Sequence, residues 1–102
     1  MTSVVESGPG RITVNGALTF ATAREARAAG LGLIAASQGR EIVVHCSSIS
    51  ESDSAGLAVL LDWLGAAQRR QVTLRFANVP ERLTAIAQIS EIEDAIGARA
   101  AS

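Results

Sequence analysis

At 102 residues the chain has room for one small domain, and a hydrophobic content of 48% suits a packed core rather than a disordered protein. Nine basic and ten acidic side chains are scattered along it, giving a formal net charge of −1 and no basic block that could follow a phosphate backbone. Its three aromatics, Phe20, Trp63 and Phe76, supply little for base stacking, and nucleic-acid binding is disfavoured.

Met1 to Glu6 lacks a basic stretch followed by a long apolar run, so no signal peptide is visible. Val4-Val5-Glu6 and Arg11 to Asn15 are short β-branched runs, and Gly8-Pro9-Gly10 between them reads as a hairpin turn. Gly16 to Phe20 leads to a helix start with capping candidates at Thr19 and Thr22. The alanine-rich segment from Ala21 to Ser37 favours helix, weakened by Gly30 and Gly32, and Gly39 stands where a helix stops. Glu41 to Cys46 suits a strand buried on both faces. Cys46 is the only cysteine, so no internal disulfide can form and a reducing compartment is compatible.

The polar segment Ser47 to Ser54 reads as a loop, followed by a central helix from about Ser54 to Arg70. The longest apolar stretch, Ala55 to Leu61, is far too short to span a bilayer, and the chain reads as cytoplasmic. Gln71 to Phe76 reads as a fourth strand, and Pro80 opens a helix reaching about Ile89. A short Ile92–Ile96 segment finishes the fold. The expectation is thus a single domain over 1–102, with a core at about 4–96 and a tail at 97–102. The order β-β-α-β-α-β-α predicts an α/β fold: a small mixed sheet with an N-terminal hairpin and helices packed on it.

On the central helix, Leu57, Leu60, Leu61, Leu64 and Gln68 share one side, where the leucines make a core stripe. Opposite them lie Ala55, Val59, Asp62, Ala66 and Arg69, with Trp63 and Arg70 at the flank. Either a second helix packs over Val59 and Trp63, or the two form an exposed docking ridge. The first helix is alanine-rich and broken by glycines, so it needs little partner surface of its own. The docking ridge is therefore the expectation, with Trp63 as its anchor, because Trp and Arg are enriched at interface hot spots.

Asp53 and Ser54 stand where this helix starts, with Gly56 inside the first turn. A helix N-terminus has unpaired N–H groups and a partial positive charge, which favour an anion. A serine hydroxyl there can cap the helix, carry a phosphate or touch another protein; Ser54 is expected to cap and to contact a partner. Asp53 and Glu51 fit capping and solvated-loop roles better than a catalytic carboxylate pair. No phosphate-cradling glycine–lysine loop is present. Adjacent His45 and Cys46 point to opposite faces and make a poor metal pair. His45 as a base for Ser54 would lack a third member. No catalytic, cofactor or metal site is expected, and the chain reads as a non-enzyme.

From strand Ile42-Val43-Val44 through Asp53-Ser54-Ala55-Gly56-Leu57 to the helix end near Arg70, the chain resembles the STAS domain. That family is shared by bacterial anti-sigma factor antagonists and subunits of certain transporters. Gly16 to Thr22, Asp53 to Leu64 and Phe76 to Pro80 are most similar to the MlaB-type subunit of the Mla phospholipid ABC transporter. The resemblance runs from about Val4 to Ile96. It implies a cytoplasmic, non-enzymatic subunit that binds the transporter's ATPase, peripheral to the inner membrane through a permease, and that helps maintain outer-membrane lipid asymmetry. The implied partner surface, with the ridge above, comprises Asp53, Ser54, Ala55, Val59, Asp62, Trp63, Ala66 and Arg70. Ser54 also matches the position phosphorylated in anti-sigma factor antagonists. The alternative function is such an antagonist in a partner-switching pathway, with an anti-sigma factor kinase acting on Ser54. Ser50-Glu51-Ser52 departs from the family pattern, which often places an apolar residue there, and Glu51 makes the site less welcoming to a phosphate.

Overall fold

The computed structural model describes residues 2–37, 39 and 41–89. Strands β1 (Thr2–Gly8) and β2 (Arg11–Leu18) form the expected antiparallel hairpin, with Val4 opposite Val14 and Val5 opposite Thr13. The first half of β2 pairs in parallel with β3 (Glu41–His45), placing Ile12 beside Val44. Its second half pairs in parallel with β4 (Ile49–Ser52), placing Leu18 beside Ser52. β5 (Thr73–Ala77) joins β3 in parallel, so the sheet runs β1-β2-β3-β5 with β4 beside β2. Three helices, α1 (Ala23–Ala36), α2 (Ser54–Arg69) and α3 (Glu81–Ile89), complete the described elements.

Two expectations about the strands are corrected. The segment read as a loop from Ser47 to Ser54 contains β4. Ser50 and Glu51 are exposed on it and Ser52 is buried, so it carries no apolar alternation. What makes it a strand is its backbone ladder to β2, which needs no particular side chains. Among the described residues, the strand expected to be covered on both faces is covered on one. Ile12, Val14, Ile42, Val44, Leu74 and Phe76 alternate into one face, where they share a core with Ile34, Leu57, Leu60, Trp63 and Leu83 from the helices. The other face shows Thr13, Val43, His45 and Arg75, half-buried or exposed. β-branched residues such as Val43 suit a pleated, half-buried surface, so they do not by themselves report a second layer. The Ile92–Ile96 segment and the tail lie outside the described residues.

The packing of α1 on α2 decides the largest correction. Trp63 is fully buried and Val59 is 3% exposed, so the pair forms part of the core and not an exposed ridge. Gly30 of α1 makes room for the ring: a Cβ at that position would run into the indole. The ring's one polar atom is satisfied as well, since Trp63 Nε1 donates to the Arg27 carbonyl at 3.2 Å. Glycine inside a helix costs about 0.5–1 kcal/mol against alanine, a small loss beside the burial of a tryptophan. Arg27 also pairs with Asp62 at 2.8 Å across the two helices. Both side chains are about half exposed, and a pair in that setting contributes little stability.

A candidate protein-interaction site at the start of α2

Helix α2 begins where β4 ends, and its first turn is pressed against the last residue of β2. A Cβ on Gly56 would collide with the Leu18 carbonyl oxygen, so only glycine lets the helix start this close to the sheet. Asp53 is the N-cap. Its Oδ1 accepts from the backbone N–H groups of Ala55 at 2.9 Å and Gly56 at 3.1 Å, and its Oδ2 accepts from Phe20 N–H at 3.0 Å. The anion that a helix N-terminus favours is thus supplied by the chain's own carboxylate. Ser54, expected to cap, is instead the first helical residue and is exposed. Its hydroxyl stands at the surface beside a cap that is already made.

The N–H of Phe20 is the main cause of a depressed Asp53 pKa; desolvation opposes it, while the Gly56 and Ala55 N–H groups and the charge of Arg82 add to the depression. Thr19, Ser50, Glu51, Ser52, Asp53 and Arg82 together line a surface cleft at this end. The loop carrying Phe20 is built by Thr22, whose side chain does not cap α1. Thr22 Oγ1 accepts from Thr19 N–H at 3.0 Å and donates to the Ala17 carbonyl at 2.9 Å.

Of the eight residues expected at the partner surface, the structure groups Asp53, Ser54 and Ala55 at the start of α2, exposed or half-buried. Asp62 is exposed but ion-paired, Ala66 is half-buried against the core, and Arg70 is exposed at the far end of the helix, about 24 Å from Ser54 at the helical rise. Val59 and Trp63 are interior. Phe20 and Arg82 were not anticipated. An aromatic between two turn-forming threonines, with no core pattern to join, is the one sequence signal that would have marked Phe20. Cys46 lies in the core, and burial pushes its thiol up to about 12, so it stays protonated at neutral pH. Iodoacetamide at pH 8 is expected to leave Cys46 unmodified in the folded protein and to alkylate it in denaturant, as read by intact mass.

The chain matches the family described as MlaB, STAS domain, over residues 2–97. It belongs to the STAS domain family. Among solved structures, this STAS domain is similar to the anti-sigma factor antagonist SpoIIAA in its unphosphorylated form, with a TM-score of 0.66 and 14% identity over 87% of this chain and 83% of that one. It is also similar to a sulfate transporter family protein from Wolinella succinogenes, with a TM-score of 0.68 and 18% identity over 95% of this chain and 78% of that one. At these identities the likeness shows a common fold. No curated protein sequence matches closely enough to count as a relative. Among the described residues, no helix is long and apolar enough to cross a membrane.

In this STAS domain the Asp53 cap, and not the Ser54 hydroxyl, carries the stability of the α2 start. Asp53→Ala is expected to cost about 1–2 kcal/mol and Ser54→Ala less than about 0.5 kcal/mol, measured by urea denaturation. The Asp53 contribution depends on its charge. Because its folded pKa is depressed, the contribution is complete above the ordinary aspartate value of roughly 4 and is lost as pH falls through the folded value. The stability difference between wild type and Asp53→Ala is therefore expected to shrink as melts are taken below about pH 4.

Proposed function

We propose that this STAS domain is a cytoplasmic, non-enzymatic subunit that binds and regulates or stabilises the ATPase of an Mla-type phospholipid ABC transporter. In that role it sits peripheral to the inner membrane through its partner and serves outer-membrane lipid asymmetry. The observation that carries the reading is the MlaB-type match across residues 2–97, which includes the Asp53-Ser54-Ala55-Gly56 helix start. The exposed end of α2, with Ser54, Ala55 and the neighbouring Phe20, is the surface offered to the partner; Val59 and Trp63 serve it from beneath by fixing α1 against α2. Such a domain acts by binding one arrangement of its partner more tightly than another, which shifts the population toward that arrangement.

Co-purification of the tagged chain from its native host is expected to retain an ABC ATPase, and adding the chain to that ATPase should change ATP turnover or complex stability. Turnover by the purified chain alone, surviving removal of trace contaminants, would defeat the reading.

A second reading is an anti-sigma factor antagonist controlled by phosphorylation of Ser54. The exposed position of Ser54 at a helix start favours it. Stoichiometric phosphate on Ser54 after incubation with the cognate kinase and ATP, together with capture of that kinase in place of an ATPase, would select this reading over the first.

A further inference from the structure

The Gly10 carbonyl, just before β2, accepts from Val43 N–H at 2.8 Å, and Gly16 N–H donates to the Ser48 carbonyl at 3.0 Å. Even-numbered positions of β2 therefore turn their backbone groups toward β3 and β4. In the antiparallel hairpin, the residues opposite Gly16, Val14 and Ile12 are Thr2, Val4 and Glu6, and these turn their N–H and C=O groups away from β2. They form a free edge of the sheet, and no backbone bond from a described residue reaches them.

Exposed edges are usually blunted by lysine, proline or a central bulge. The stretch Thr2-Ser3-Val4-Val5-Glu6 has no lysine or proline, and its irregularity falls after Glu6. Val4 is half-buried against the core, and Val5 is 46% exposed on the open face. Helix α1 packs over β1. Ala36, which lines a cleft with Glu6 and Gly8, marks the flank of α1 nearest this edge, and Ala29 and Gly32 lie on the same exposed stripe. A Cβ on Gly32 would meet nothing within 4 Å, so packing among the described residues does not account for a glycine that a helix interior disfavours.

An open backbone ladder is satisfied by another extended strand, and the chain's own β1 fits. Self-pairing about a two-fold axis can bring the outward residues into bonded positions in several registers, which the charge of Glu6 separates. An axis at Glu6 sets two carboxylates directly opposite, and an axis at Val5 sets them diagonally. An axis at Val4 sets Glu6 opposite Thr2, keeps the carboxylates farthest apart and uses every outward group of Thr2, Val4 and Glu6 on both strands.

We propose that β1 pairs antiparallel with β1 of a second copy across a two-fold axis at Val4, joining the two sheets into one. Val4 then meets its copy on the helix side, and Val5 faces Ser3 of the second copy on the open side. The alanine–glycine flank of α1 leaves room for the second α1 above the joined strands. This surface uses no residue of the α2 start. A contact of one strand and one helix flank is smaller than a standard stable interface, so the dimer forms only as concentration rises.

Sedimentation velocity over a series from about 1 μM to about 1 mM should show the mass move from monomer to dimer. Glu6→Pro leaves the hairpin bonds intact, because Glu6 N–H is unused within them, and removes a donor from the edge. It should weaken the dimer about tenfold or more while keeping the wild-type melt in dilute solution. The register is read by cross-linking. Ser3→Cys and Val5→Cys chains, mixed and oxidised, should form a disulfide heterodimer, whereas neither alone should cross-link, since its like positions lie diagonally and out of reach. If Glu6→Pro fails to fold, the mixed cross-link decides the matter alone. A chain that stays monomeric throughout the series, a dimer as tight in Glu6→Pro as in wild type, or cross-linking of Val5→Cys with itself would overturn the proposal. Protection of the Val4 and Glu6 amides from exchange only when the co-purifying ATPase is added would place a strand of that partner on this edge, and would overturn it too.

Discussion

Trp63→Ala is expected to destabilise the free domain by about 3–5 kcal/mol, the usual cost of deleting a buried large aromatic side chain. Trp63 has no exposed surface, its indole N–H is bonded to the Arg27 carbonyl, and its ring fills the space left open by Gly30. Removing it takes away the burial, leaves a cavity between α1 and α2, and deprives the Arg27 carbonyl of the indole donor. Thermal melting of the isolated variant measures the loss. A docking anchor would behave differently, giving a normal melt and weakened partner binding, so an unchanged melting temperature would contradict the buried position. Gly30→Ala supplies the complementary check: it should destabilise the wild-type background and cost less when combined with Trp63→Leu, because the smaller side chain frees the space that the new methyl needs.

Gly56→Ala is the second large effect, and its sign is the informative part. By helix propensity alone, alanine in place of glycine would stabilise α2 by about 1 kcal/mol. Here the added Cβ would meet the Leu18 carbonyl oxygen, a backbone atom held in the β2–β4 pairing next to Ser52. A side chain could swing away, but a strand carbonyl moves only with its backbone, so the cost should approach the top of the usual overpacking range, about 3 kcal/mol. The helix start and β2 would have to separate, which also pulls Asp53 away from Phe20. The variant should therefore melt earlier and lose protection at the Phe20 amide together. A Gly56→Ala variant as stable as wild type would mean that the first turn of α2 lies farther from β2.

The contrast between Gly30 and Gly56 shows how far a linear reading reaches. Both look like weaknesses in a helical pattern, and both are sites where another part of the chain comes too close for a side chain. In each case the contacting group, Trp63 or Leu18, is distant in sequence, so spacing offers no clue to it.

Hairpin, helices and the start of α2 were all legible in the residues, because the forces that set them act over a few neighbouring positions. Gly8-Pro9-Gly10 turns the chain by its own backbone preferences, the leucine spacing of α2 marks a helix whatever lies beside it, and the step from polar Ser50–Asp53 to apolar Leu57 marks where that helix begins. The Asp53-Ser54-Ala55-Gly56 motif likewise located the candidate site. What it did not contain was the division of labour within that site. Asp53 caps and Ser54 stays at the surface because a carboxylate has two oxygens to offer, one for its own helix and one for Phe20, 33 positions away. The same holds for β4, which exists through its backbone ladder to β2, and for Trp63, whose side of the helix is interior because Gly30 lets α1 cover it. Periodicity reports that a helix face is apolar; whether solvent, a partner or another helix covers it depends on contacts such as Trp63 with Arg27, 36 positions apart, and these form only when the whole chain packs.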